Sequence, residues 1–252
     1  MRLFKYFSQT KLFVHLLLSR NYNNFARIEP IKYYSIKTIK QYYYDNNIYL
    51  DLYNDLNNSN LYSYNLYSSK YNRSKFDSSK FDTSKYNSSK FNSSKYYIYT
   101  KYNDLTAEHI FPQSFTKQYS KANKDMHNIY LTNYYTNNLR SNKKFSHIIN
   151  ENISKKIYIP CNYSRGIIAR ALVYMKYTYP LLNLSSIIDY DIIILWNELY
   201  PPSDYELQKN NIIFHYQGNK NIFIEDYKKL ELFINKLTNM LLFFKRYCKF
   251  AN

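Results

Sequence analysis

Six consecutive five-residue units fill residues 68–97 of this chain: SSKYN, RSKFD, SSKFD, TSKYN, SSKFN and SSKYY. A period of five matches neither the 3.6-residue turn of a helix nor the two-residue repeat of a strand, so the units cannot gather one apolar face. Their Ser, Asn and Asp side chains also offer local hydrogen bonds that compete with regular structure. We therefore predict that residues 68–97 form a flexible, basic tether.

The repeat divides the chain into three parts. Residues 42–97 combine an Asn- and Tyr-rich run with the repeat, and we predict a low-complexity, disordered region there; residues 48–50 could add a short strand. Residues 1–41 form an N-terminal segment, and residues 98–252 are the predicted folded domain. The repeat itself has two interpretations, namely an arm that tracks phosphates through Lys and stacking aromatics, or an inserted sequence without a role.

The N-terminal segment has a basic start followed by an apolar run, residues 12–18, which His15 interrupts. Three interpretations stay open: a secretory signal sequence, an organelle transit peptide and a buried helix. The compartment is therefore not assigned, with secretion and an organelle both compatible with the sequence. No apolar run approaches the roughly 18–20 residues that a membrane span needs, so we expect no integral membrane protein.

Charge and aromatic content suggest a polyanionic partner. The formal net charge is +17, and the chain has 33 Tyr and 16 Phe. Aromatic side chains beside Lys and Arg suit stacking on nucleic-acid bases, although an AT-rich coding sequence would also enrich Tyr, Asn, Lys and Ile. The cysteines, Cys161 and Cys248, are too few for a four-cysteine zinc site or a disulfide scaffold, and the sequence does not decide whether they pair.

Patterns after the repeat predict a mixed α+β domain. Residues 97–102 alternate as in a strand, with a turn at 103–104, and residues 187–195 are apolar enough to be buried. A helix is predicted over 165–177, and the Ser203 to Glu206 capping box predicts another over 204–216. A final helix has a predicted core-facing stripe at helical spacing: Leu230, Phe233, Ile234, Leu237 and Leu241.

The residues with the clearest chemistry begin at Glu108-His109, followed by Ile-Phe-Pro-Gln-Ser. A carboxylate beside an imidazole offers a metal ligand and a base. Adjacent strand residues point to opposite faces, so both could reach one site only near a strand end, and Pro112 supplies such a stop. Three further blocks follow, over residues 125–142, 165–175 and 217–225. Both glycines of the chain, Gly166 and Gly218, lie in these blocks.

Together the four blocks resemble the bacterial endonuclease I family of His-Me finger (ββα-metal) nucleases, over roughly residues 96–227. Residues 108–114 match the family pattern EH-x-x-PQS, and residues 125–142 match D-L-H-N-L followed by N-G-x-R-S-N. Residues 165–175 match RG-x-x-AR-x-x-x-YM, and residues from 217 match Q-x-NRNPFID. The resemblance implies a ββα-metal core with additional helices.

The resemblance also implies roles for individual residues. His109 corresponds to the general base, while Glu108 and Asn137 correspond to the protein ligands of one divalent ion, most often Mg²⁺. Carboxylate and amide oxygens are hard ligands of the kind that Mg²⁺ prefers. At some positions the chain departs from the family, for example with Asn138 in place of Gly and Lys209 in place of Arg.

Basic residues in or beside the blocks are candidates for binding nucleic-acid phosphates: Arg140, Arg165, Arg170 and Lys220. For Arg140 a surface or helix-packing role is an equal alternative. A zinc site from His109, His127 and Cys161 is compatible with the residue types but has no recognised spacing, and we favour a structural hydrogen-bonding role for His127.

The sequence therefore predicts a metal-dependent endonuclease that hydrolyses DNA, with RNA as an alternative substrate and with little sequence preference, and leaves 5′-phosphate ends. The alternative is a catalytically inactive nucleic-acid-binding protein that keeps the nuclease fold. Retention of Glu108, His109 and Asn137 together argues against this alternative.

Overall fold

The computed structural model describes residues 31–48, 51–53, 105–147 and 156–250, with side chains as far as residue 243. The N-terminal apolar run, the pentad repeat and the predicted strand over 97–102 lie outside the described residues. So do the predicted boundary between residues 97 and 98 and the side chain of Cys248. In the described part of the chain, no helix is both long enough and apolar enough to cross a bilayer.

Helices and small sheets alternate along the described chain, which confirms the α+β class. The strands are β1 (Leu105–His109), β2 (Ile129–Asn133), β3 (Lys144–Phe145) and β4 (Ile157–Tyr158). The helices are α1 (Ile36–Asp45), α2 (Gln113–Thr116), α3 (Tyr134–Arg140), α4 (Asn162–Thr178), α5 (Tyr190–Leu199), α6 (Asp204–Gln217), α7 (Ile222–Glu225) and α8 (Lys228–Phe250). Short 3₁₀ turns cover Ala122–Lys124, Met126–Asn128 and Leu184–Ser186.

A hairpin followed by a helix forms the part of the fold that contains the first two sequence blocks. β1 and β2 pair antiparallel, with Glu108 opposite Tyr130 and His109 opposite Ile129. α3 begins directly after β2, where the Asn133 side chain accepts a hydrogen bond from the backbone N–H of Thr136. α3 contacts both strands, so side chains from the hairpin and the helix meet at one end.

Helix α4 is the centre of the helical core. It packs against α5, α7, α8 and the 3₁₀ turn at Met126–Asn128, and it begins three residues before the predicted start at 165. A Cβ atom on Gly166 would lie 2.1 Å from the carbonyl oxygen of Tyr200. The close approach of the chain after α5 therefore explains why glycine occupies this position.

The predicted capping box is present at the start of α6, where Ser203 and Glu206 cap each other's backbone N–H groups. The helix ends at Gly218, whose φ of 92° suits glycine. In α8 the predicted stripe is buried from Leu230 to Leu237, but Leu241 is exposed. The stripe is therefore shorter than predicted, because the core ends before the last turns of this helix.

Before the repeat, the described residues 31–48 and 51–53 are more ordered than their composition indicated. α1 crosses the predicted boundary between residues 41 and 42 and buries Ile39 and Tyr43 one turn apart. The Tyr43 hydroxyl donates to the carbonyl oxygen of Met126 at 2.7 Å. Farther on, Asp51 forms a parallel bridge with Leu131 of β2. The described residues from 31 to 53 thus pack on the hairpin, because tertiary contacts outweigh a weak local pattern.

Candidate active site

An open cleft of about 350 Å³ lies where β1 ends and α3 packs against it. Residues 107–109 and 112–114 form one side, and Asn137 with residues 140–142 forms the other. Glu108 and His109 are adjacent on β1, yet both line this cleft. Two adjacent residues can face one site when the strand ends at the second of them, and β1 does end at His109.

Glu108 is 2 % exposed and is held by two donors. The Tyr53 hydroxyl donates to its Oε1 at 2.7 Å, and the Arg140 guanidinium contacts the same oxygen at 2.9 Å. Burial raises the pKa of Glu108, while Arg140 and the Tyr53 hydrogen bond oppose that rise. A carboxylate placed in this way can stay charged only with help from such partners.

The His109 ring is held in one tautomer. Its Nε2 lies 2.9 Å from the carbonyl oxygen of Asn123. A carbonyl only accepts hydrogen bonds, so Nε2 carries the ring proton and Nδ1 is the basic nitrogen. Gln113 Nε2 lies 3.2 Å from the same ring nitrogen, and because an amide nitrogen only donates, this contact is not a hydrogen bond in that tautomer. Burial, assisted by the charge of Arg140, lowers the pKa of His109 against the opposing effect of the Asn123 contact, which favours the neutral imidazole that a general base needs.

Asn137 lies on α3 and faces the same cleft. Its Nδ2 donates to Thr106 Oγ1 at 2.8 Å and to the Ala107 carbonyl oxygen at 3.3 Å. The Ala107 carbonyl can only accept, so the amide nitrogen must face β1. The amide oxygen of Asn137 is then the atom available for a ligand.

The donors in the cleft fit a hard divalent cation. Glu108 supplies a carboxylate oxygen and Asn137 an amide oxygen, a set that suits Mg²⁺ with its remaining positions taken by water or substrate. Among the described residues no group of three or more His, Cys, Asp and Glu side chains is placed to hold a metal, so the alternative zinc site is not assembled there. Instead, Cys161 Sγ lies 3.2 Å from Ser164 Oγ.

His127 has the structural role that the sequence indicated. Its ring is buried, and its Nε2 lies 3.2 Å from the carbonyl oxygen of Asn219. Burial lowers the pKa of His127 to about 4. The residue therefore sits in the protein interior as a neutral hydrogen-bonding group.

Of the four phosphate-binding candidates, only Arg140 lines the cleft. It is 1 % exposed, and besides Glu108 it donates to the carbonyl oxygens of His109 and Ile110. Its guanidinium also lies 4.5 Å from the centre of the Phe145 ring. In this arrangement Arg140 holds the end of β1 in place, which corresponds to the packing alternative.

The other three candidates lie elsewhere. Arg170 is buried in an ion pair with Glu206, and its guanidinium is not accessible to a phosphate in this structure. Arg165 lies over the Trp196 ring. Lys220 forms a partly exposed ion pair with Glu225, which leaves its ammonium group near solvent.

Sequence reasoning missed two residues that shape the site. Asn123 fixes the His109 tautomer through its backbone carbonyl, a role that no side-chain pattern could reveal. Tyr53 contacts Glu108 from the segment before the repeat. It lies in a Tyr-rich stretch that gave no signal to distinguish it from its neighbours.

Comparison with known proteins agrees with this architecture. A family model described as Endonuclease I matches residues 27–228, a range that includes α1 and Tyr53 as well as the cleft. The chain is also similar to a curated protein named Endonuclease-1 from Buchnera aphidicola subsp. Acyrthosiphon pisum (strain APS), with 27 % identity over 119 residues. That match covers 43 % of this chain and 47 % of the relative, so it spans about half the length of either protein. The family match extends over most of the sequence, and the chain belongs to the Endonuclease I family.

Proposed function

We propose that this chain is a metal-dependent endonuclease that hydrolyses phosphodiester bonds of DNA, with RNA as an alternative substrate, and with little sequence preference. One observation carries the proposal: Glu108, His109 and Asn137 line one cleft. Their remaining atoms are a carboxylate oxygen, a basic ring nitrogen and an amide oxygen. The order strand, strand, helix around this cleft supports a His-Me finger core, and the formal charge of +17 suits a polyanionic substrate.

His109 would act as the general base. Its Nδ1 takes a proton from the attacking water, while the proton on Nε2 stays there and is donated to the Asn123 carbonyl oxygen, which orients the resulting imidazolium. Water attack on phosphorus breaks the bond to the 3′ oxygen, which takes a proton from solvent as it departs, so one product carries a 5′-phosphate and the other a 3′-hydroxyl. Nothing in this step requires a second protein base.

Glu108 and Asn137 would hold the divalent ion, which in this proposal is Mg²⁺. When bound, such an ion supplies positive charge against the scissile phosphate and the leaving oxygen. Arg140 keeps Glu108 charged and fixes the end of β1 through the His109 and Ile110 carbonyls. Its role in this proposal is positioning.

A plasmid-nicking assay tests the proposal and separates it from an inactive nucleic-acid-binding protein. The wild-type chain should nick supercoiled DNA with Mg²⁺ and stop when EDTA is added. His109→Ala should lose roughly 10²–10⁴-fold in rate, the usual loss when a general base is removed, while DNA affinity changes little.

His215→Ala is the matched control, because this exposed histidine contacts Tyr216 and does not line the cleft. It should nick at the wild-type rate. Cleavage by His109→Ala at that same rate would refute the assigned mechanism, and DNA binding by a wild-type chain that never cleaves would favour the inactive alternative.

A further inference from the structure

The segment that precedes the repeat places one side chain directly on the proposed metal ligand. Tyr53 is 6 % exposed, and its hydroxyl donates to Glu108 Oε1 at 2.7 Å. The two residues are 55 positions apart in the sequence. Glu108 is thus contacted from residues 51–53, which belong neither to the hairpin nor to α3.

Residues 51–53 are fixed to β2 by several hydrogen bonds. The Leu52 N–H donates to the carbonyl oxygen of Leu131 at 3.0 Å. The Asp51 carboxylate accepts from Thr132 Oγ1 at 2.6 Å and from the Asn133 side chain at 3.2 Å. The hydroxyl of Tyr53 therefore has a defined position relative to the hairpin.

The other side of the Tyr53 ring is also supported. The ring lies edge-on to Tyr158 of β4, with centroids 4.9 Å apart. Both the backbone and the ring of Tyr53 are consequently held in place before any ligand binds, as a group that orients a metal ligand must be.

Tyr53 and Arg140 converge on the same oxygen of Glu108. Both contact Oε1, at 2.7 Å and 2.9 Å. Two donors on Oε1 restrict the rotation of the carboxylate about its Cγ–Cδ bond, and in the proposed site the other oxygen, Oε2, would bind the cation. Arg140 supplies positive charge, and Tyr53 supplies a hydrogen bond that reaches the same oxygen from another direction.

We propose that Tyr53 is a positioning residue that orients Glu108 for divalent-cation binding, which makes residues 51–53 part of the active site. The inference rests on the proposed function, because it takes Glu108 as the metal ligand. Without the hydroxyl, the carboxylate can turn toward Arg140, and the affinity for the cation falls while the base, His109, is untouched.

Tyr53→Phe removes only the hydroxyl, and Tyr43→Phe is its matched control. Tyr43 lies in the same part of the chain, is also buried and loses its hydrogen bonds to the Met126 and Ile129 carbonyls, but it has no hydrogen bond to Glu108. Mn²⁺ binding to the full chain is measured without DNA, from the free Mn²⁺ signal in electron paramagnetic resonance. Plasmid nicking across a Mg²⁺ series gives the second measurement.

For Tyr53→Phe we expect about tenfold weaker Mn²⁺ binding, a typical loss for a hydrogen bond to a charged group. The Mg²⁺ concentration for half-maximal nicking should rise similarly, with the rate at saturating Mg²⁺ within about twofold of wild type. Tyr43→Phe should bind Mn²⁺ as the wild type does. Should Tyr53→Phe fail to fold, Thr132→Val removes one of the hydrogen bonds that hold Asp51 and thereby loosens the same segment, with weaker Mn²⁺ binding again expected.

Equal Mn²⁺ affinity in the wild type and Tyr53→Phe overturns the inference but leaves the proposed function standing. The same holds if Tyr43→Phe weakens binding as much as Tyr53→Phe, because the effect would then belong to the whole segment. Unchanged Mn²⁺ affinity in Thr132→Val, where that variant is the one measured, also overturns it. A wild-type chain that neither binds Mn²⁺ nor cleaves DNA overturns both proposals.

Discussion

Replacing Arg170 with methionine tests whether this arginine stabilises the fold or binds nucleic acid. Arg170 and Glu206 are each about 1 % exposed. The guanidinium donates to both carboxylate oxygens, from Nε at 2.8 Å and from Nη2 at 2.5 Å. Its Nη1 donates to the carbonyl oxygen of Tyr200 at 2.9 Å. This arginine therefore joins α4, α6 and the chain after α5.

The size of the expected destabilisation follows from the groups that lose their partner in Arg170→Met. The Glu206 carboxylate would stay buried without its counter-charge, and the Tyr200 carbonyl would lose a donor. Breaking a buried pair by removing one partner costs about 3–5 kcal/mol of unfolding free energy. For a domain of this size, each kcal/mol lowers the melting temperature by about 2–4 °C. We therefore expect a decrease of roughly 6–20 °C.

Thermal unfolding and fluorescence anisotropy on labelled DNA distinguish a role of Arg170 in stability from a role in DNA binding. Lys220→Met is the matched control, because its ion pair with Glu225 is partly exposed and such pairs contribute about 0–1 kcal/mol. Arg170→Met should melt early but bind DNA normally at a temperature where it is folded. A variant with wild-type melting but weaker DNA binding and a shallower salt dependence would refute the structural role.

Three further predictions follow from the site, the buried histidine and the repeat. Asn137→Ala should need more Mg²⁺ for plasmid nicking and be partly rescued by excess metal, whereas unchanged Mg²⁺ dependence would remove Asn137 as a ligand. His127 has a pKa of about 4 in the fold against 6.5 when unfolded, so only the unfolded chain takes up its proton between these values. The contribution of neutral His127 to the free energy of unfolding is therefore complete above about pH 6.5. It is lost as the pH falls toward 4, by up to about 3 kcal/mol. Urea unfolding of the wild type should therefore depend more steeply on pH in this window than that of His127→Gln, and parallel curves would contradict the assignment. Deleting residues 68–97 removes seven basic and two acidic residues; if the repeat contacts phosphates, DNA affinity at low salt should fall and converge with the full-length chain as salt rises, while identical salt slopes in anisotropy titrations would identify a passive insertion.

Local signals in the sequence were sufficient for several helices and for the position of the cleft. The Ser203 capping box and Gly218 define the ends of α6, since both act through hydrogen bonds or backbone angles within one turn. Likewise, Pro112 after the Glu-His pair correctly indicated that the strand stops there. Such features depend on neighbours in the chain, so a sequence can display them.

Long-range contacts were not predictable from the same patterns. The end of α1 and Tyr53 lie in a polar, Tyr-rich stretch whose composition favours disorder. Their order comes from contacts with distant residues, such as the Tyr43 contact with Met126, 83 positions away, and the Tyr53 contact with Glu108, 55 positions away. The roles of Arg140 and Arg170 were obscure for a related reason. A basic residue in a motif suits either a phosphate or a buried carboxylate, and only the fold shows which partner lies within reach.

Two buried carboxylates explain why the separate sequence blocks occur in one chain. Asp125 accepts hydrogen bonds from Tyr174 of α4, Tyr179 just after that helix and Gln217 at the end of α6. The side-chain oxygen of Gln217 in turn accepts from the Met126 N–H. Three blocks thus meet where the chain enters β2, and they fix the position at which this strand begins.

Glu108 is the second buried carboxylate, and its geometry depends on the first. β2 determines the register of β1, and α3 starts directly where β2 ends, so the placement of β2 sets the distance between Glu108 and Asn137. A slip of one residue in the pairing would turn Glu108 to the opposite face of the hairpin. The helices that hold Asp125 therefore contribute to the cleft without lining it, because they fix the strand that aligns Glu108 and Asn137.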